Sequence, residues 1–142
     1  MGIFKTAPSL NQLNQWNENT LGANLGIVFT EIGDNFIEAI MPVDHRTCQP
    51  YRFLHGGASV ALAETLGSVA SSCCIDTSVQ LCFGLEINAN HVKSVNQGSV
   101  IGRAEPIHIG QRTHVWEIKI KTENGDLVCI SRLTVAVIDK KK

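Results

Sequence analysis

The sequence lacks the charge and hydrophobic patterns that are typical of nucleic-acid-binding, membrane and secreted proteins. Its net charge is only −1 at pH 7, so it offers no basic surface that would attract nucleic acid or an anionic membrane. No apolar run approaches the roughly 18 residues of a membrane-spanning helix, and the first residues do not form a secretory signal. We therefore expect a cytoplasmic protein that binds neither nucleic acid nor membranes.

The motifs of metal, disulfide and serine-hydrolase chemistry are missing as well. The five cysteines are an odd number and contain no Cys-x-x-Cys pair, which favours reduced thiols. The five histidines lack the His-Glu-x-x-His spacing of a zinc site, so we expect no metal ion. No Gly-x-Ser-x-Gly segment is present, which disfavours a serine hydrolase.

The hydrophobic pattern predicts one domain, residues 1–142, which is long enough to bury its own core. Helical spacing predicts a short helix over residues 9–18 and a long helix over 57–74. Strands are predicted over 25–31 and 35–41, and about four antiparallel strands follow the long helix. This order predicts an α+β fold in which the long helix packs on an antiparallel sheet.

Residue periodicity assigns faces to the main elements. The long helix has an apolar stripe that must face the sheet, formed by Leu62, Leu66, Val69 and Cys73. On the strand that follows, alternation predicts a shared face for Phe83, Leu85, Ile87 and Ala89. The dipeptide Asn124-Gly125 predicts a hairpin between strands over 116–122 and 127–138.

The chemical motif lies at the start of the long helix. His55-Gly56-Gly57 opens a helix whose first N–H groups have no intrahelical partner and carry a partial positive charge. Glu64 follows on the same helix, with no Lys or Arg three or four residues away. An oxyanion hole and a carboxylate are the parts needed to cleave an activated acyl group. The alternatives are a flexible glycine turn and a structural acid.

The spacing along the helix predicts a site shared by two chains. Glu64, Ser68 and Ser71 stand at i, i+4 and i+7, which predicts that they share a face. A rise of about 1.5 Å per residue puts Glu64 on the order of 10 Å from the helix start. Because that is too far for both groups to reach one carbonyl, we predict an obligate homodimer with antiparallel helices.

Two further side chains are candidates for the same chemistry. Gln49 precedes Pro50 in the loop before the helix, and its amide is able to donate a hydrogen bond to an acyl oxygen. The alternative for Gln49 is an ordinary loop amide. Ser68, one turn beyond Glu64, is able to orient the acid or a water molecule. Its alternative is a small residue chosen for helix–sheet packing.

The run 55–60 through Glu64, together with residues 84–91, closely resembles hotdog-fold acyl-CoA thioesterases. The nearest group is similar to the 4-hydroxybenzoyl-CoA and 1,4-dihydroxy-2-naphthoyl-CoA thioesterases. The resemblance implies an antiparallel sheet wrapped around one long central helix. It also implies a homodimer, assembled further into a dimer of dimers, and no cofactor other than the coenzyme A of the substrate.

The resemblance assigns roles to individual residues. It implies that Glu64 is the nucleophile or the general base, and that Ser68 assists it. It implies that the Gly56 amide, with His55 and Gln49, binds and polarises the thioester carbonyl. Lys93 and Arg112 are expected at the phosphates of coenzyme A. The full set expected to contact coenzyme A is Gly84, His91, Val92, Lys93, Ser94, His108, Ile109, Gly110, Gln111, Arg112 and Thr113.

Two other functions compete with hydrolysis of an aromatic acyl-CoA thioester. One is a hydratase or dehydratase on the same fold, which typically uses a His–acid pair in a different loop. The other is a non-catalytic acyl-CoA sensor or binding module, which would not need a carboxylate at Glu64. Menaquinone biosynthesis, proofreading of mis-acylated carrier proteins and aromatic catabolism remain open as physiological roles.

Overall fold

The computed structural model describes residues 2–142. Its helices are α1 (Leu10–Trp16), α2 (Leu21–Asn24) and α3 (Gly56–Cys73). Its strands are β1 (Val28–Ile32), β2 (Ile37–Pro42), β3 (Gln80–His91), β4 (Ser99–Ile109), β5 (Thr113–Thr122) and β6 (Leu127–Asp139). No helix among these residues is both long and apolar enough to cross a membrane.

The six strands form one antiparallel sheet in the order β1-β2-β4-β5-β6-β3, and five of them contact α3. This arrangement confirms the predicted α+β hotdog fold, with a sheet wrapped around one main helix. The predicted hairpin between β5 and β6 is also present, and Gly125 adopts the positive φ of 91° that this turn requires. Because β1 and β3 are the two edges, each has one side without a neighbouring strand.

Small residues allow the sheet to close around α3. Leu62 and Leu66 are completely buried, as the predicted apolar stripe requires. A Cβ added to Gly67 would lie 2.5 Å from Leu133 Cδ2 on β6, and one added to Gly102 would lie 2.7 Å from Leu66 Cδ1. Since contacts this short do not occur between real side chains, a larger residue at either position would displace these leucine methyl groups, and glycine lets them pack where they are.

The N-terminal region differs in detail from the prediction. Ser9 caps α1 and forms a capping box with Gln12, but α1 ends at Trp16. A second helix, α2, was not predicted; it is a single turn whose cap is Thr20. As a result β1 begins at Val28 and not at residue 25. A helix of four residues is too short to leave a periodic signal, which explains the omission.

The predicted alternation along β3 is wrong. A β-bulge lies between Gly84 and Glu86, where the register with β6 shifts by one residue. Consequently Ile87 and Ala89 pack toward the core, whereas Phe83 and Leu85 are 55% and 66% exposed. Odd-numbered residues point away from the core before the bulge and toward the core after it. A prediction that assumes strict alternation of side chains along the strand does not detect this change.

The predicted polar face of α3 is only partly correct, because Ser71 does not share the exposure of Glu64. Ser71 is fully buried, and its Oγ accepts a hydrogen bond from Trp116 Nε1 at 2.7 Å. His114 Nδ1 lies 3.0 Å from the same oxygen. The angular position is similar to that of Glu64, but β5 covers the helix at this level and reaches the serine.

Candidate active site

The start of α3 leaves one backbone donor available. His55 is the N-cap, and its Nδ1 accepts the Gly57 N–H at 2.8 Å, so the cap is an imidazole ring. The Ala58 N–H donates to the His55 carbonyl at 3.0 Å. Within residues 2–142 the Gly56 N–H meets no acceptor. It is therefore a donor at the positive end of an 18-residue helix.

Gln49 and His91 lie beside that donor. Gln49, Gly56 and His91 line a cavity of about 350 Å³ together with residues 92–94. A Cβ added to Gly56 would lie 2.9 Å from His91 Nε2, so the ring lies close to the helix start and would have to move if a larger residue replaced the glycine. The cavity thus combines a backbone N–H, a side-chain amide and an imidazole.

The loop before α3 holds Gln49 in place. Cys48 and Leu54 form an isolated β-bridge, and the Gln49 N–H donates to the Phe53 carbonyl at 2.8 Å. The side-chain oxygen of Gln49 accepts a hydrogen bond from the Tyr51 N–H. This contact orients the amide. Its NH₂ group is the donor that a ligand in the cavity could use.

Glu64 lies elsewhere along the helix, next to β3. Its Oε1 would lie 2.7 Å from a Cβ added to Gly84. Glu64, Ser68 and Gly84 line a second cavity, of about 660 Å³. Within residues 2–142 Glu64 forms neither a salt bridge nor a hydrogen bond. The alternative of a structural acid paired with a nearby cation therefore has no support in this chain.

The remaining residues expected at coenzyme A divide between two ends of the molecule. Residues 109–112 line a third cavity, of about 840 Å³, which also contains Gln80 and Cys74 at the far end of α3. His108 and Thr113 flank this loop, and the Thr113 carbonyl accepts the Gly110 N–H at 2.9 Å. Lys93 is at the other end and pairs with Asp126 at 2.6 Å.

One chain therefore does not bring the predicted site together. Glu64 is absent from the residues that line the Gly56 cavity, and Gln49 and His91 are absent from those that line the Glu64 cavity. The 18 residues of α3 span about 27 Å, so the third cavity is farther still from Gly56. The chain holds the predicted site residues in separate cavities.

Burial keeps four of the five thiols from acting as nucleophiles. Burial raises the pKa of Cys73 to about 11 and that of Cys74 to about 12. Burial also raises the pKa of Cys82 and of Cys129. These four groups are therefore neutral thiols near pH 7. All five cysteines of the described residues are free.

Comparison with known proteins identifies the family. A family model described as thioesterase superfamily matches residues 51–129, which contain both Gly56 and Glu64. The chain belongs to the thioesterase superfamily. As predicted from the sequence, it is a thioester hydrolase with the hotdog fold.

Individual thioesterases are similar over nearly the whole chain. A 1,4-dihydroxy-2-naphthoyl-CoA hydrolase from Escherichia coli is 50% identical over 136 residues, which cover 96% of this chain and 99% of that protein. A mutant thioesterase from Pseudomonas aeruginosa superposes with a TM-score of 0.96 at 47% identity, covering 98% of this chain and 100% of the other. A thioesterase from Haemophilus influenzae superposes with a TM-score of 0.94 at 49% identity. The match covers 96% of this chain and 95% of the other.

Two residues of the Glu64 cavity were not predicted from the sequence. Trp16 and Leu21, from the N-terminal helices, line the cavity that contains Glu64. In the sequence Trp16 belongs to the same helical stripe as Leu10 and Leu13, which predicts burial. Only Leu13 is buried, and an apolar residue that stays exposed on such a stripe has no signature in the sequence.

Proposed function

We propose that this thioesterase hydrolyses coenzyme A thioesters of aromatic acids, such as 4-hydroxybenzoyl or 1,4-dihydroxy-2-naphthoyl groups, at sites shared by two copies of the chain. The observation that carries the proposal is a pair of unsatisfied groups on one helix. Within residues 2–142 the Gly56 N–H and the Glu64 carboxylate both lack a partner. The name of the relative from Escherichia coli supports the choice of substrate class.

An edge-to-edge homodimer would join the two halves of the site. β3 is a 12-residue edge strand with exposed apolar side chains, and such an edge favours pairing with another chain. Glu64 lies at Gly84 on this strand, and Gly56 lies at His91. If a two-fold axis passes midway between Gly84 and His91, Gly84 of one copy lies opposite His91 of the second copy. Glu64 of one copy would then lie beside Gly56 of the second.

The same axis would gather the residues expected at coenzyme A. Gln80 begins β3 and lines the cavity of residues 109–112. In an antiparallel pair, the start of one β3 lies next to the residues that follow the end of the other, which are 92–94. Arg112 of one copy and Lys93 of the second would thus lie on one side of the active site, where phosphates are expected.

The chemistry follows from these positions. The thioester carbonyl oxygen accepts hydrogen bonds from the Gly56 N–H and the Gln49 amide, and these stabilise the negative charge that develops on it. As a general base, Glu64 removes a proton from water while the water oxygen bonds to the carbonyl carbon. The carbon–sulfur bond then breaks, and the departing thiolate takes up the proton. As a nucleophile, Glu64 instead attacks the carbonyl carbon and displaces the thiolate, which takes up a proton; water then cleaves the mixed anhydride to the free acid and the Glu64 carboxylate.

A substitution at Glu64 tests the reaction. We expect Glu64→Gln to lower kcat for benzoyl-CoA by about 10²- to 10⁴-fold, because the amide neither accepts the proton nor attacks the carbon. Release of the coenzyme A thiol is the measurement. Glu123→Gln is the matched control, since this exposed glutamate lies in the β5–β6 turn. Turnover near wild type in Glu64→Gln would reject the assignment.

Mixing inactive variants tests whether the site is shared. Glu64→Gln and Gln49→Ala are each expected to be impaired, but a heterodimer of the two contains one site with both natural residues. Equal amounts with random exchange should therefore recover about a quarter of the wild-type activity. Failure to recover any activity, despite demonstrated subunit exchange, would contradict a shared site.

The competing functions have distinct readouts. A hydratase would change the absorbance of an enoyl thioester without releasing thiol. A sensor module would bind benzoyl-CoA tightly without turnover. The cytoplasmic location, the dimer of dimers, the absence of a cofactor and a role in menaquinone biosynthesis stay predictions.

A further inference from the structure

The walls of the Glu64 cavity come from two parts of the chain. Glu64 and Gly84 lie within residues 51–129, the part that matches the family. Trp16, Leu21 and Phe29 line the same cavity but precede that part. The carboxylate is therefore held by the shared portion of the fold, while one wall of its surroundings comes from the N-terminal segment.

That wall is apolar and accessible. Trp16 is 58% exposed and Leu21 is 62% exposed, although both are large apolar residues in well-formed helices. Among the described residues that line this cavity, Glu64 is the one ionisable group. An exposed apolar surface beside a single carboxylate is suited to a ligand that is apolar next to its reacting centre.

Two asparagine side chains hold this wall rigidly. Asn14 Nδ2 donates to the Phe29 carbonyl at 3.1 Å, and Asn14 Oδ1 accepts the Phe29 N–H at 2.8 Å. Asn17 Nδ2 donates to the Ile27 carbonyl at 2.9 Å. Asn14 thereby satisfies both backbone groups of a residue in the edge strand β1. These three hydrogen bonds tie α1 and the residue that follows it to β1 and the residue before it.

We propose that Trp16 and Leu21 determine acyl-group specificity by forming a preorganised wall against which a flat aromatic acyl group packs. The inference rests on the proposed function, because it needs Glu64 to act on a thioester carbonyl. An indole offers a planar face whose offset stacking favours an aromatic ring over an alkyl chain of similar size. Leu21, the first residue of α2, lines the same cavity.

Kinetics with two acyl groups test the proposal. For Trp16→Ala we expect kcat/KM to fall about tenfold for benzoyl-CoA and about twofold for hexanoyl-CoA, so the preference for the aromatic substrate drops. Trp16→Phe should keep most of the preference, and Leu21→Ala should lower it less than Trp16→Ala. Ile107→Ala is the control, since Ile107 is a half-exposed apolar residue on β4 outside this cavity.

Tryptophan fluorescence gives a second readout that does not depend on turnover. The chain has two tryptophans, and Trp116 is fully buried and hydrogen-bonded to Ser71. Phenacyl-CoA, a thioether that cannot be hydrolysed, should change the emission of the wild-type protein but not that of Trp16→Phe. Free coenzyme A should change neither.

The outcomes separate this inference from the function on which it rests. Normal turnover in Glu64→Gln would overturn the proposed function. If Glu64 is required, but Trp16→Ala lowers both substrates by the same factor, the specificity role is wrong and the hydrolase assignment stands. An unchanged emission of Trp16 on binding phenacyl-CoA would likewise overturn the proposed wall.

Discussion

Gly84 controls where the Glu64 carboxylate rests. A Cβ at this position would lie 2.7 Å from Glu64 Oε1, while its next neighbour, the Glu64 Cδ, is 3.5 Å away. The rest of the surroundings therefore tolerate alanine, and the carboxylate oxygen is the atom that must move. Glu64 is an exposed side chain, so it is free to retreat.

The size of the effect follows from that distance. To restore the 3.4 Å at which ordinary van der Waals contact begins, Oε1 must retreat by about 0.7 Å. A displacement of about 1 Å at a reacting group costs on the order of 100-fold in rate, so Gly84→Ala should lower kcat by about 10- to 100-fold. The barrier would rise by about 1.4–2.7 kcal/mol. The unfolding free energy should change by less than about 1 kcal/mol.

Steady-state hydrolysis of benzoyl-CoA, together with urea unfolding, measures both quantities. We expect kcat to fall while KM stays near wild type, because in the proposed mechanism the displaced group acts in the transition state. Asn88→Ala is the control on the same strand, since the Asn88 amide contacts Glu86 and not Glu64. A sedimentation experiment verifies that both variants keep the wild-type assembly. If Gly84→Ala retained the full kcat, the position of the Glu64 carboxylate would not limit the reaction.

Two further predictions concern the buried contact between α3 and β5. Ser71→Ala removes the acceptor of the Trp116 indole N–H and should lower the unfolding free energy by about 1–3 kcal/mol in urea titrations, whereas Ser72→Ala, next to it on the helix, should change it by less than about 0.5 kcal/mol. Equal effects of the two would refute the role of Ser71. Burial lowers the pKa of His114 below its ordinary 6.5, so the unfolded chain binds a proton more readily and stability should fall as pH drops below about 6.5. His114→Gln should flatten that part of the stability–pH curve, and an unchanged slope would argue against it.

Much of the geometry of the candidate site could be predicted because it is local. The N-cap, the glycine at the helix start and the acid two turns later all lie within ten residues, so helical geometry relates His55, Gly56 and Glu64 without any tertiary contact. The sequence also shows directly that no Lys or Arg lies three or four residues from Glu64. The same holds for the β5–β6 turn at Gly125, whose positive φ is a requirement of the turn itself.

Features that depend on distant strands could not be predicted in this way. The bulge after Gly84 arises from the register between β3 and β6, and it alone decides that Leu85 faces solvent. Ser71 has nearly the same angular position on α3 as Glu64, but Trp116 covers it from β5. Periodicity predicts which way a side chain points from its helix or strand. Whether that side chain is buried depends on which other elements pack against it.

The sequence by itself determined the helix with its donor and its acid, because both are set by spacing along one element. Only the tertiary structure decided that Gly56 lies beside Gln49 and His91 while Glu64 lies beside Gly84 and Trp16, in a separate cavity. Those neighbours come from loops, strands and helices far apart in the chain. Long-range packing, which no local pattern encodes, therefore determined which residues surround Gly56 and which surround Glu64.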